Sequence, residues 1–244
     1  MGYLDGKVII RLFGVAFLWG IISLPVFCAE KTAVPAMKVT PIENSASKKN
    51  TTTEVTHTNL HPVQIYTQDE LIGWINKNEH LARVKADDCQ LVQDIKVRAE
   101  KIDIPAYQFL WGDMLAWGVC VPKDAELGVH FMWQAAHQGL PAALEQLGRY
   151  YYKGILVQKN QQRAIQLLRE SASLGFVKAR IEYVQMLAKG YGSPYDYQQA
   201  YQWLQNSIIG DKQQHQKAQI LLASLAKRMP PDVVAKAKAT RPGY

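Results

Sequence analysis

From residue 105 onward the apolar positions fall in blocks about a dozen residues long, at helical spacing, separated by short polar stretches with glycine. In one block Ala143, Leu147 and Tyr151 share a face, and Ala179, Tyr183 and Leu187 echo them 36 positions later. Two blocks precede these. The stretch from Thr67 opens with a capping box, Thr67 with Glu70, and carries Leu71, Ile72, Trp74, Ile75 and Leu81 on one side. After Asp87 and Asp88, whose acids suit a helix start, comes a second helix with Cys89 in its first turn. Its apolar positions are Leu91, Val92, Ile95, Ala99 and Ile102.

The blocks repeat. Pro105, Ala106, Gly112, Gly118, Val121, Lys123, Ala136 and Gly139 return at an offset of 36 as Pro141, Ala142, Gly148, Gly154, Val157, Lys159, Ala172 and Gly175. A third copy from Val177 keeps Gly190, Ala200 and Ser207. Each unit predicts a helix closed by glycine at 118, 154 or 190, where a left-handed residue costs glycine nothing. A short loop then leads to a capping Asp124, Asn160 or Asp196 and a second helix. Small residues at Gly148, Ala164 and Ala172 allow neighbouring helices to approach closely. One such pair cannot bury its apolar side alone, so three must stack between caps. The expected fold is all-α: an α/α solenoid of three repeats with a helical cap at each end.

The boundaries that follow are an N-terminal cap over 63–104, repeats over 105–140, 141–176 and 177–211, and a C-terminal capping helix with a basic tail over 212–244. Pro230 and Pro231 are expected to stop the last helix. Ahead of the cap, 29–62 is rich in Thr, Ser, Asn, Lys and Pro and is predicted to be a flexible linker. Within it, Asn50-Thr51-Thr52 is a glycosylation triplet of little weight. Residues 1–28 place Lys7 and Arg11 before an apolar run broken by Pro25, the pattern of a signal peptide and hence of export.

Export changes the reading of the cysteines. Loss of Cys28 leaves Cys89 and Cys120, with one internal pairing in a compartment that permits it; two buried free thiols are the alternative. Cys120 lies in the first interhelix loop, aligned with Leu156 and Gly192, near the cap helix that carries Cys89.

The frame of the second repeat, "AALEQLGRYYYKGILVQKNQQRAIQLLRESASLG", resembles the Sel1-like repeat, a longer relative of the tetratricopeptide repeat. That resemblance implies a superhelical protein-binding scaffold. The flanks, from "PVQIYTQDELIGWINKNEHLARV" through "WGDMLAWGVCV" to "GSPYDYQQAYQWLQNSI", resemble the MotX family of sodium-driven polar flagellar motors. What this second resemblance implies is a periplasmic T-ring component at the flagellar basal body. Its partners would be a MotY-like ring protein and a PomA/PomB-like sodium stator. The alternative is a general exported Sel1-like adaptor of the cell envelope.

The remaining features narrow the choice. The chain of 244 residues has a net charge of +7, concentrated between 211 and 244, where seven basic residues face two acidic ones. No nucleic-acid motif accompanies that charge. His130 and His137 lie seven apart on one helix, yet no metal-ligand cluster, nucleophile elbow or phosphate loop is present, so no catalytic or metal residue and no cofactor or small-molecule substrate is assigned. Penicillin-binding relatives of the Sel1-like repeat carry a cysteine pair in each unit, which repeats two and three lack. Tyrosines crowd these repeats. Helical spacing explains Tyr151, Tyr183 and Trp203 as core, leaving Tyr150, Tyr152, Tyr191, Tyr195 and Tyr197 as candidate docking residues, with the loop Gly190 to Tyr197 as the exposed element.

Overall fold

A computed structural model of the chain describes residues 65–239. The expected signal peptide (1–28) and linker (29–62), with the Asn50 triplet, lie outside the described residues, as does the end of the basic tail.

The first cap is shorter-jointed than its apolar pattern suggests. Helix α1 (Gln68–Lys77) starts with the capping box: the Glu70 amide donates to Thr67 Oγ1 at 3.3 Å and the Thr67 amide to Glu70 Oε2 at 2.9 Å. It ends at Asn78, whose φ of 61° is left-handed, so Leu81 belongs to a separate helix, α2 (His80–Ala86). Asn tolerates that conformation because its short side chain bonds locally. Asp88 and Cys89 are also left-handed, at φ 51° and 60°, so α3 (Val92–Glu100) begins after them. Cys89 therefore sits in the turn before α3, not in its first turn. Asp87 caps the end of α2, buried, accepting from Tyr66 Oη at 2.7 Å and Arg83 Nε at 3.0 Å, and is no helix-start acid. Ile102 lies beyond α3 and is exposed.

Three helix pairs follow: α4 (Pro105–Trp117) with α5 (Ala125–His137), α6 (Pro141–Lys153) with α7 (Gln161–Ser173), and α8 (Val177–Ala188) with α9 (Tyr197–Gln205). Proline opens α4 and α6 at a position whose N–H has no helical acceptor, and left-handed Gly118 and Gly154 close them. Asp124 and Asn160 cap α5 and α7 by accepting from Leu127 N at 3.0 Å and Arg163 N at 2.9 Å. The loop between is closed at the same offset, by Asp124 N to Leu115 O and Asn160 N to Tyr151 O, each 2.8 Å.

The position occupied by Cys120, Leu156 and Gly192 is left-handed in all three copies, at φ 61°, 58° and 82°. The third copy departs elsewhere. Lys189 caps α8, with Gly190 one residue beyond at φ 89°. Asp196 holds the N-cap position of α9 as expected but makes no side-chain capping bond there; it also ends a 3-10 turn, Pro194–Asp196, that is capped by Ser193. Its carboxylate instead meets Arg169 Nη2 at 3.2 Å. The chain closes with α10 (Lys212–Ala226), capped by Asp211, and α11 (Pro231–Ala239), packed on α9. Pro231 thus begins a helix rather than only ending one, and part of the basic tail is helical. The described residues contain no strand.

Close approach inside a pair depends on missing side chains. A Cβ on Gly112 would stand 2.7 Å from Gly128 O, and one on Gly128 would stand 2.6 Å from Ala116 N. The same positions one repeat on are Gly148 and Ala164. Two apolar cores result. The first joins the cap to α4, α5 and α6; the second runs from α7 through α11. Helix α7 separates them, giving Leu167 to the first and Ala164, Ile165, Leu168 and Ala172 to the second.

Candidate protein-docking surface

Helix α4 is apolar on every side, yet it carries Asp113 at its centre. A buried carboxylate in such a helix needs partners. It has two: Oδ2 lies 2.7 Å from His80 Nε2 of the cap, and Oδ1 accepts from Gln146 Nε2 of α6 at 2.6 Å. Gln146 also donates to Tyr150 Oη at 2.9 Å, and Trp117 Nε1 donates to the same oxygen at 3.2 Å. Cap, first repeat and second repeat are thus tied by one buried polar chain. His80 Nδ1 is buried without a hydrogen-bond partner. The sequence signal for this joint was Asp113 itself, a charge inside an apolar run.

Beside that joint Cys89 and Cys120 form a disulfide, with Cα atoms 5.6 Å apart. The bond links the turn before α3 to the loop after α4, two segments held left-handed at the cysteines themselves.

The five candidate tyrosines divide. Tyr150 is only 3% exposed and bonded as above, and burial followed by the nearby Asp113 charge pushes its hydroxyl well above the usual tyrosine range. Tyr197, at 7%, opens α9 and packs in the second core. Neither is a docking residue; each faces the neighbouring helices because it lies on the inner side of its own. Tyr151, expected in the core, is half-buried beside Trp133 and under Arg163, whose guanidinium carbon stands 4.9 Å from its ring. Tyr152 and Tyr191 come together at 6.2 Å, edge to face, and Lys189 Nζ donates to Tyr152 Oη at 3.3 Å. Tyr195 projects alone at 96% exposure from the Gly190–Tyr197 loop. Trp203 is half-buried and Tyr183 fully buried.

Next to the Tyr152–Tyr191 pair runs a charged groove across the first helices of the second and third repeats and α10. One part, about 290 Å³, is lined by Glu145, Arg149, Lys178, Glu182 and Lys217 among others. Arg149 Nε donates to Glu145 Oε1 at 3.0 Å. Glu182 is half-buried, and desolvation, then repulsion by Glu145, holds its carboxyl above the usual range. Desolvation likewise lowers the Lys178 ammonium.

His130 and His137 are exposed on α5, the first beside Gln134 and the second stacked on Trp133. Among the described residues no group of three or more His, Cys, Asp or Glu is placed to hold a metal ion, and no helix is long and apolar enough to cross a membrane.

Comparison with known proteins adds a family to this geometry. The Sel1 repeat family matches residues 105–140, 141–176 and 185–208. The chain is 57% identical over 177 residues to the sodium-type polar flagellar protein MotX of Vibrio parahaemolyticus, covering 72% of this chain and 84% of that one. Among solved structures, a Sel1 repeat protein from Oxalobacter formigenes superposes with a TM-score of 0.46 at 21% identity, over 53% of this chain and 97% of the other. A protective antigen of uropathogenic Escherichia coli with an SLR fold gives 0.43 at 18% identity, over 72% and 41%.

Proposed function

The chain belongs to the MotX family and is built on Sel1 repeats, and from that premise we propose that it is a non-catalytic scaffold of a sodium-driven polar flagellar motor. It works in the periplasm as a T-ring component, holding a MotY-like ring partner and helping to install or retain a PomA/PomB-like stator. Residues 1–28 then serve as the export signal and 29–62 as the link to the helical unit of 63–244. The observation that carries this reading is the 57% identity over 177 residues, which spans 72% of this chain and 84% of the flagellar relative.

The architecture supports a holding role. Repeats fix their faces through neighbour contacts, and here the cap is bonded to them by a disulfide and a buried carboxylate. Sodium selectivity would rest with the stator, since ion transfer through a membrane needs an acidic residue on a spanning segment. Tyr152, Tyr191 and Tyr195 are the docking tyrosines under this reading.

Deletion of the gene tests it. Swimming should cease while filaments and basal bodies remain, and the tagged protein should co-sediment with basal bodies and bring down a MotY-like protein. Normal swimming in the deletion strain overturns the proposal.

A further inference from the structure

The groove carries an excess of positive charge. Two adjoining hollows, about 290 and 180 Å³, share Glu182 and Lys217. Together they hold five cations, Arg149, Lys153, Lys178, Lys189 and Lys217, and two carboxylates. One carboxylate, Glu145, is committed to Arg149. Among the described residues, neither Lys178 nor Lys217 forms an ion pair. Lys178 is half-buried, and the nearby Glu145 and Glu182 carboxylates do not make up for its desolvation, so its ammonium is held below the usual range. A carboxylate that arrives there gains more than it would on an open surface, because water has already been thinned around the ammonium.

Between these charges the lining is mixed, with Asn78, Gln185 and Gln214 beside a smaller apolar set. Ile181 lies on the floor of one hollow, and Leu168, Met186 and Tyr152 line the other. Charge complementarity therefore selects a ligand that is acidic and also brings aliphatic side chains. The hollows are recessed between helices, so a planar lipid surface cannot reach Lys178 as a chain segment can.

We propose that this groove binds an acidic, extended segment of a partner protein, whose carboxylates meet Lys178 and Lys217 and whose apolar side chains settle on Ile181 and Met186. Glu182 opposes that segment and sets a limit on its affinity. The inference stands on the groove alone and is independent of the flagellar assignment.

The test uses the purified full chain with its disulfide intact and fluorescence anisotropy. The probes are a labelled peptide of repeated Glu-Gly-Leu triplets, its Lys-Gly-Leu counterpart, and phosphatidylglycerol vesicles. The acidic peptide should bind and the basic one should not. The Lys178→Gln/Lys217→Gln variant should lose about tenfold in affinity, as removal of complementary charge at an interface does, while the same change at Lys85 and Lys227 should leave it nearly unaltered. Glu182→Gln should bind more tightly, a gain that a misfolded variant cannot produce. Equal binding of both peptides, equal loss at the control lysines, no gain in Glu182→Gln, or binding to vesicles alone overturns the proposal.

Discussion

His80 and Asp113 lie 33 residues apart in sequence and 2.7 Å apart in space, both nearly shut off from solvent. This contact fastens the cap to the first repeat from inside, while the disulfide fastens it from the loops. Replacing one partner strands the other. Asp113→Ala leaves His80 and the Gln146 amide without their acceptor, and should cost about 1–3 kcal/mol, the scale for leaving buried polar groups unsatisfied. Urea unfolding at neutral pH measures it. A Leu at both positions, which removes the polar groups together, should cost less than the single change.

Loss of either cysteine should also destabilise the chain, since the bond closes a loop of sequence separation 31. Chain entropy sets the expected loss on the order of 3 kcal/mol. Thermal melts of Cys89→Ser and Cys120→Ser against the oxidised parent would show it, and non-reducing mass spectrometry should find the two cysteines joined in a single peptide pair. An unchanged melting temperature in the variants would remove the disulfide as a stabilising element.

Glycine substitutions should act with opposite signs. Gly128→Ala forces its new methyl group to within 2.6 Å of the α4 backbone, so α4 and α5 must separate, at about 1–3 kcal/mol. Gly73→Ala, in the middle of α1 with nothing within 4 Å of the new Cβ, should stabilise by up to about 1 kcal/mol through helix propensity. Denaturation of the two variants side by side checks both signs.

Glu182 makes stability depend on pH in the less common direction. Its carboxyl is held above the usual range, so the folded chain binds this proton more tightly than the unfolded chain does. The cost of the charged form is absent below the ordinary glutamate range and grows as pH rises through the shifted value. Glu182→Gln should therefore be more stable than the parent at neutral pH, with the advantage shrinking on acidification. Urea midpoints across that range are the measurement.

Much of the architecture was legible because the repeat writes the same local instruction several times. Asp124 and Asn160 cap as their residue types require, and Gly118 and Gly154 close their helices for the same reason. Where the third copy changes its loop, the rule fails. Asp196 keeps its register, but Ser193 and Pro194 start a 3-10 turn three residues early and free its carboxylate for Arg169. Asn78 was hidden by the apolar residues on both sides of it, which fit one long helix as well as two short ones.

The candidate docking surface was only partly legible. Tyr150, Tyr151 and Tyr152 follow one another in sequence, and one position of helical rotation decides which faces Gln146, which faces Trp133 and which meets Tyr191. The groove was not visible at all, because Arg149, Lys178 and Lys217 share a face only after three helices are stacked.

The partition of the apolar interior at α7 has a mechanical consequence. Both clamps on the cap, the disulfide and the His80–Asp113 contact, belong to the first core, whereas the second is held without a covalent link, by packing, the Arg169–Asp196 ion pair and the Arg180 hydrogen bonds to Ala172, Trp203 and Ser207. Under heat or pulling force the molecule should fray from its C-terminal end, shedding α11 and α10 while the opposite end keeps its grip. The charged groove, lined from α6 on one side of that division and from α8 and α10 on the other, would open with the fraying end.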